Sequence, residues 1–342
     1  MKKIIFLLLI NTQLLNAQSL KDLHFGTDST FDIVSWNIEW FPKNGQVTAD
    51  SVRTIIQALA ADIYALQEID DTTLLKQVVS TIPGYASHFK FSHYGGLAYV
   101  YNINTVQVNK IYEIYTSQPF WNAFPRSPQI LELNFKNEDY VIINNHLKCC
   151  GDGTLNANNP SDEEMRRLTA VTLLKQYIDS LFIDERVIIV GDLNDILTDP
   201  TPNNVFNSFL NDLDYLFVDF PIALGSSSNF SFPTWPSHLD HILISNELFT
   251  DFSKTNSLIS CIKIDDYMSS WNVYDYNISD HRPIGLKLQV DNVISNSIVI
   301  EPKVKNLIRV VDFLGRKTTI KKNTPLFYMY ENGSVERKIV VE

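Results

Sequence analysis

From Phe31 onward, short runs rich in β-branched and aromatic residues alternate with segments whose apolar residues recur every three to four positions. The strand-like runs span 31–38, 62–67, 96–101, 106–115, 129–135, 140–145, 186–190, 239–245 and 284–290. Val52, Ile55, Ile56 and Leu59 mark one helical face, and Leu168, Val171, Leu174 and Ile178 mark a longer one. Several strands follow one another with no helix between them, so a simple strand–helix–strand repeat does not fit. The pattern predicts an α/β fold: a four-layered α/β sandwich, two packed mixed β-sheets flanked by helices. Residues 292–305 lose all periodicity and read as a linker. Residues 306–342 return to short β runs, with a hairpin-turn signal at Asn332-Gly333, and read as a small C-terminal β module.

The N-terminus adds a targeting signal. Lys2 and Lys3 precede the apolar run Ile4 to Ile10, and a polar stretch ends in Leu15-Asn16-Ala17. A basic start, an apolar stretch too short to span a bilayer and a small exit residue form a secretory signal peptide over 1–17, with cleavage expected after Ala17. No later segment approaches the roughly 18 apolar residues of a membrane helix, so the expected mature protein has no transmembrane segment and is secreted or held at the cell surface.

Charge and cysteine content narrow the chemistry. The chain carries a formal −11, but residues 18–291 hold 17 Lys and Arg against 34 Asp and Glu, a net of −17. So acidic a body does not attract a polyanion by its bulk field; it needs local cations or bound metal to approach phosphate. Three cysteines with no C-x-x-C pair exclude both a disulfide framework and a structural zinc site of that type.

The informative residues stand at strand ends. They fall in Ser35-Trp36-Asn37-Ile38-Glu39-Trp40, Leu66-Gln67-Glu68, Asn144-Asn145-His146-Leu147-Lys148, Gly191-Asp192-Leu193-Asn194-Asp195, Ser237-His238-Leu239-Asp240-His241 and Ser279-Asp280-His281-Arg282-Pro283. Singly, each reads as a turn or a solvated rim. Together, carboxylates that hold a hard divalent cation, carboxamides that fix phosphate and histidines that move protons are what metal-assisted hydrolysis at phosphorus requires.

In order and spacing these clusters resemble the motifs of the endonuclease/exonuclease/phosphatase superfamily, with its deoxyribonuclease I-like fold, over residues 28–291. The resemblance implies that Glu68 is the principal Mg2+ ligand, with Asn37, Glu39 and Asp280 near the metal; Mn2+ or Ca2+ are alternatives. It makes His281 the base that activates or orients water, Asp240 its orienting carboxylate, and His146 a second histidine on the scissile phosphate. Asp192 and Asn194 would position the nucleophile and a phosphate oxygen, and Arg126 would bind phosphate. The implied activity is a phosphodiesterase, foremost an extracellular nuclease with nucleic acid as substrate. A phospholipid (sphingomyelinase-like) or small-phosphoester substrate is the alternative, and a catalytically silent surface-binding module is the reading from another class.

Two further stretches bear on this expectation. His146-Leu147-Lys148-Cys149-Cys150-Gly151-Asp152-Gly153 resembles the motif of secreted bacterial members, in which an Arg-rich helix follows. Arg166 and Arg167 either meet substrate phosphates or pair on the helix surface with Glu163 and Glu164. In an oxidising compartment Cys149 or Cys150 could join Cys261 in a disulfide, leaving one thiol over. The tail, with Val311-Asp312-Phe313-Leu314-Gly315-Arg316 and Leu326-Phe327-Tyr328-Met329-Tyr330, resembles a short form of the C-terminal sorting signal of the type IX secretion system. That implies the type IX machinery as export partner, while oligomeric state stays open.

Overall fold

The structure is a computed structural model that describes residues 18–90, 92, 95–291, 307–312, 316–322, 325–330 and 335–339. The expected signal peptide and linker and the Asn332-Gly333 turn lie outside the described residues. The chain divides into two units, Met1–Asn292 and Val293–Glu342.

The first unit is built on two six-stranded sheets. One contains β1 (Thr30–Phe41), β2 (Ile63–Ile69), β3 (Tyr85–Lys90), β4 (Gly96–Asn102), β11 (Leu258–Cys261) and β12 (Ile284–Gln289), in the order β11-β12-β1-β2-β4-β3. The other contains β5 (Val106–Glu113), β6 (Gln129–Phe135), β7 (Glu138–His146), β8 (Arg186–Asp192), β9 (Tyr215–Phe217) and β10 (Asp240–Ser245), in the order β5-β6-β7-β8-β10-β9. Both are mixed: β1–β2 and β7–β8 pair parallel, the remaining neighbours antiparallel.

Strand periodicity sorts the residues between layers, because successive side chains point to opposite faces. On β1, Phe31 and Ile33 enter the core between the sheets, whereas Val34, Trp36 and Ile38 turn outward under helices. Ile142 of β7, Ile188 and Val190 of β8, Ile242 and Ile244 of β10 and Leu286 of β12 complete the inter-sheet core. Each such fully buried side chain contributes about 1.5–3 kcal/mol. The helix α1 (Gln46–Leu59) lays Val52, Ile55, Ile56 and Leu59 on the outer face of the first sheet, beside Leu75, Val78 and Val79 of α2 (Thr72–Ser80). Across the molecule α3 (Glu163–Leu181) places Val171, Leu174 and Ile178 against Ile143, Val187 and Ile189 of the second sheet. Helix, sheet, sheet, helix is the four-layered sandwich that the periodicity predicts.

Three strands absent from the periodicity, β3, β9 and β11, lie at sheet edges. β3 is only half-buried and β9 and β11 are three and four residues long, so none carries a strong apolar alternation. Among the described residues no helix is long and apolar enough to cross a membrane. In the second unit β13 (Leu307–Val311), β14 (Pro325–Tyr330) and β15 (Val335–Ile339) form an antiparallel sheet that buries Val310, Leu326, Tyr328 and Tyr330.

Candidate active site

The parity that fills the inter-sheet core also builds the site. Asn37, two residues beyond Ser35 on the inward register of β1, pairs across to Gln67 of β2. On the other sheet His146 of β7 lies beside Asp192 of β8, and Asp192 beside Asp240 of β10. Asp192 and Asp240 continue the registers of Ile188, Val190 and Ile242, so polar groups occupy the seam where the apolar residues end. Gly191 is required there: at φ +141° its backbone passes so near β7 that an added Cβ would stand 1.9 Å from the Asn145 carbonyl oxygen.

Glu68 enters by a different device. The β1–β2 ladder shifts between Asn37 and Phe41, the β2–β4 ladder shifts between Leu66 and Ile69, and Glu39, Trp40 and Glu68 all have positive φ. A bulge re-aims a side chain at the cost of local strain. Here it turns the Glu68 carboxylate to accept from Asn37 Nδ2 at 3.2 Å and from the Trp40 N–H at 3.1 Å. Asn37 Nδ2 also donates to Asp192 Oδ2 at 3.0 Å, joining the two sheets. His146 Nε2 stands 3.4 Å from Asp192 Oδ2 and 3.8 Å from Glu68 Oε1.

His281, just before β12, completes the group. Its Nδ1 donates to Asp240 Oδ2 at 2.7 Å, and its Nε2 faces Asp192 Oδ2 at 3.8 Å and Asp280 Oδ1 at 3.9 Å. The Phe232 ring covers it, centroids 4.9 Å apart. Ser279 Oγ donates to the Asn37 carbonyl at 2.6 Å and accepts the His281 N–H at 2.9 Å, while the Tyr274 hydroxyl donates to the His281 carbonyl at 2.5 Å. Asn194 donates its N–H to Asp192 Oδ1 at 3.0 Å and Nδ2 to the Leu147 carbonyl at 3.3 Å.

The electrostatics separate the two histidines. Burial, with Arg126 and His281 nearby, pushes His146 well below the usual histidine range, so its ring is neutral. Burial would lower His281 as well, but Asp240, Asp192 and Asp280 outweigh it and raise the ring to about 10. Asp192, desolvated and beside Asp240 and Glu68, is raised to about 7 although His281 and Asn37 oppose the shift.

A divalent cation fits this donor set. Glu68 offers carboxylate oxygen, Asp192, Asp240 and His281 bring ligand atoms within 4.8 Å of one another, and the buried Asp240 Oδ1 has no hydrogen-bond partner. Asn37 turns its Nδ2 to Glu68 and Asp192 and its Oδ1 to the Glu39 N–H, so it holds the carboxylates in place and is not itself presented as a ligand. Among the described residues no Lys or Arg pairs with Glu68. Glu39 differs: its Oε2 is taken by Lys43 Nζ and by the Asp280 N–H, so its nearest cation is a lysine of its own turn. Asp280 is part-exposed beside it, and Arg126 is half-buried on the His146 side.

Other expectations are redirected. Arg167 is buried inside the protein, bound to Asp195 Oδ2 at 2.7 Å and Glu164 Oε1 at 3.2 Å, because its helix face packs on the sheet; substrate phosphate cannot reach it. Arg166 donates to the Asn122 carbonyl at 2.5 Å. Cys261 ends β11 in the first sheet, Cys149 and Cys150 follow β7 in the second, and all three are free thiols. Sequence reasoning had no hold on Tyr274 or Lys43. It also passed over Asp219, whose carboxylate binds His238 and His241 behind the site; His238 and His241 beside Asp240 were the available signal.

The ordered sequence pattern of the Endonuclease/Exonuclease/phosphatase family matches residues 34–281, a span that contains every group just described. The chain belongs to this family. As a member of the endonuclease/exonuclease/phosphatase family it is a hydrolase of phosphoester bonds, of a kind that depends on a divalent metal. No curated protein sequence matches it. The fold is similar to that of D. rerio TDP2 complexed with single strand DNA product, at 15% identity and a TM-score of 0.58 over 77% of this chain and 100% of that one. It is similar also to the human Nocturnin catalytic domain (17%, 0.53, 76% and 93%) and to a family protein of Bacteroides thetaiotaomicron (16%, 0.51, 77% and 98%).

Proposed function

We propose that this endonuclease/exonuclease/phosphatase member is a phosphodiesterase that hydrolyses DNA or RNA by in-line attack of water, with Mg2+ as the preferred metal, and that it acts outside the cytoplasm. The observation that carries the reading is the meeting of Asn37, Glu68, His146, Asp192, Asp240 and His281 at one end of the inter-sheet seam. A cation held by Glu68 near Asp280 would supply charge to a phosphate oxygen and, by offsetting the carboxylates around His281, weaken that ring's hold on its proton. Neutral His146 presents Nε2–H to a phosphate oxygen, with Arg126 adding positive charge on the same side. Asp192 and Asn194 position water, His281 Nε2 takes its proton, and Asp240 stabilises the imidazolium that results.

Nucleic acid is favoured by Trp40, which is 50% exposed next to the Glu68 carboxylate and offers a face on which a base can stack. The similarity to TDP2, solved with a single-strand DNA product, points the same way. A phospholipid substrate is the second reading. It draws on Trp235, 78% exposed in a loop whose Phe232–Ser237 bridge begins at the ring covering His281. Export rests on the signal-peptide pattern of residues 1–17 and the sorting-like pattern of 306–342, with the type IX machinery as partner. Export that continues after deletion of 306–342 would refute that part.

The deciding assay offers plasmid DNA, RNA and sphingomyelin to residues 18–342, each with Mg2+, Ca2+ or EDTA, beside the His281→Ala variant. Metal-dependent cleavage of nucleic acid that the variant lacks is the expected result. Cleavage of lipid alone replaces the substrate, and inactivity on all three overturns the proposal.

A further inference from the structure

The turn after His146 carries a pair of adjacent cysteines that the hydrolytic site does not use. In an extended chain neighbouring side chains point to opposite sides. Cys150, however, has φ +70°, and this left-handed residue swings its side chain back onto the side of Cys149, leaving the two Sγ atoms 3.0 Å apart. A bulky residue holds positive φ only where its surroundings impose it. Here Arg167 Nη1 donates to the carbonyls on both sides of the pair, Lys148 at 2.8 Å and Cys150 at 2.7 Å. Arg167 is itself fixed by buried Glu164 and Asp195. The turn is therefore clamped in the conformation that opposes the thiols, and Cys150 is exposed to reagents in solution.

We propose that Cys149 and Cys150 are a modification site that closes to a reversible vicinal disulfide by exchange with a small disulfide of the glutathione-disulfide class. One cysteine thiolate attacks a sulfur of the donor, forming a mixed disulfide and expelling one thiolate. The neighbouring thiolate then attacks the cysteine sulfur of that mixed disulfide, forming the Cys149–Cys150 bond and expelling the second. The protein loses two S–H protons and two electrons, and the donor is reduced to two thiols. Adjacent Cα atoms lie about 3.8 Å apart, shorter than the ~4.4–6.8 Å usual for disulfides, so the link is strained and returns to thiols under mild reduction. Cys261, the remaining thiol, sits in the other sheet with Sγ 3.7 Å from the Phe230 carbonyl and takes no part.

The test equilibrates residues 18–342 with glutathione disulfide, blocks free thiols with iodoacetamide after unfolding, and maps tryptic peptides without reduction. The expected result is a fall from three alkylated cysteines to one, with the peptide 149–166 unalkylated, lighter by two hydrogens and free of glutathione. Dithiothreitol should restore all three. In Cys149→Ser the resolving thiol is missing, so the exposed Cys150 should retain glutathione as a stable adduct. Three alkylated cysteines in the wild type, a glutathione adduct that persists there, or a link from 149–166 to the Cys261 peptide would each overturn the proposal.

Discussion

Replacing Asp219 by Asn removes one charge from behind the site and leaves the side chain's shape unchanged. The buried carboxylate accepts from His238 Nε2 at 3.0 Å, His241 Nδ1 at 2.6 Å and the Ile242 N–H at 2.9 Å. His241 also donates Nε2–H to the Asp195 carbonyl at 2.9 Å, and a ring that donates from both nitrogens is an imidazolium. Burial alone would lower His241, but Asp219 outweighs burial and raises it; the same pair holds Asp219 far below the usual carboxylate range against its own burial. The signs of the two linkages differ. His241 binds its proton more tightly when folded, so its contribution is complete below about pH 6.5 and is lost as the pH rises through the folded value. Asp219 contributes fully above about pH 3.9 and loses its contribution only as acid reaches its depressed folded value.

In Asp219→Asn the imidazolium loses its hydrogen-bonded counter-charge, gives up its proton, and then loses one of its two hydrogen bonds. Removing one partner of a buried pair costs about 3–5 kcal/mol, a large share of the roughly 5–15 kcal/mol that holds a domain folded. Urea unfolding followed at intervals from about pH 5 to 9 should show wild-type stability declining on the alkaline side and the variant lower and flatter. A variant within about 1 kcal/mol of wild type near pH 6, or one with the same alkaline slope, would show that the pair is not an ion pair.

Three further outcomes are expected. Asp240→Asn should cut turnover about 10²- to 10⁴-fold with native circular dichroism, since it removes the carboxylate behind His281. Glu68→Gln should raise the Mg2+ concentration for half-maximal activity by about tenfold or more, and EDTA should abolish wild-type activity reversibly; isothermal titration with Mg2+ checks the first independently of turnover. Trp40→Ala should weaken binding of a single-stranded oligonucleotide by about 1–3 kcal/mol, read as KM or anisotropy, while turnover at saturation changes little.

What the sequence made legible and what it hid have a common physical origin. Interior strands are covered on both faces, so β1, β7, β8 and β12 carry dense apolar runs and announce themselves; edge strands such as β3 and β11 are half-solvated and do not. The same alternation that buries Ile188 and Val190 fixes the direction of Asp192, and the one that buries Ile142 fixes His146. A polar residue in the inward register at a strand's end must therefore face the seam, and several such strands make a site. For Asn37, Asp192, Asp240 and His146 local pattern is enough to place the side chain at the seam, where the structure brings them together.

Where a side chain's partner comes from another segment, local pattern has no purchase. Glu39 and Glu68 look alike as acidic residues closing a strand, yet a lysine four positions on claims Glu39 and amide donors from the bulge receive Glu68. Arg167 follows Arg166 on a helix whose charges suggest a solvated face, but the helix rolls so that Arg167 points inward onto Asp195. That burial is informative in its own right. Arg167 fastens the side chain of Asp195, and His241 fastens its carbonyl, so the turn carrying Asp192 and Asn194 is held at one residue by two buried cations. A protein whose body is strongly acidic thus places scarce positive charge inside, where it keeps the turn rigid. If the proposed nucleic-acid substrate is right, its binding to so acidic a body should weaken with added salt through few released counterions, and a steep salt dependence would refute that expectation.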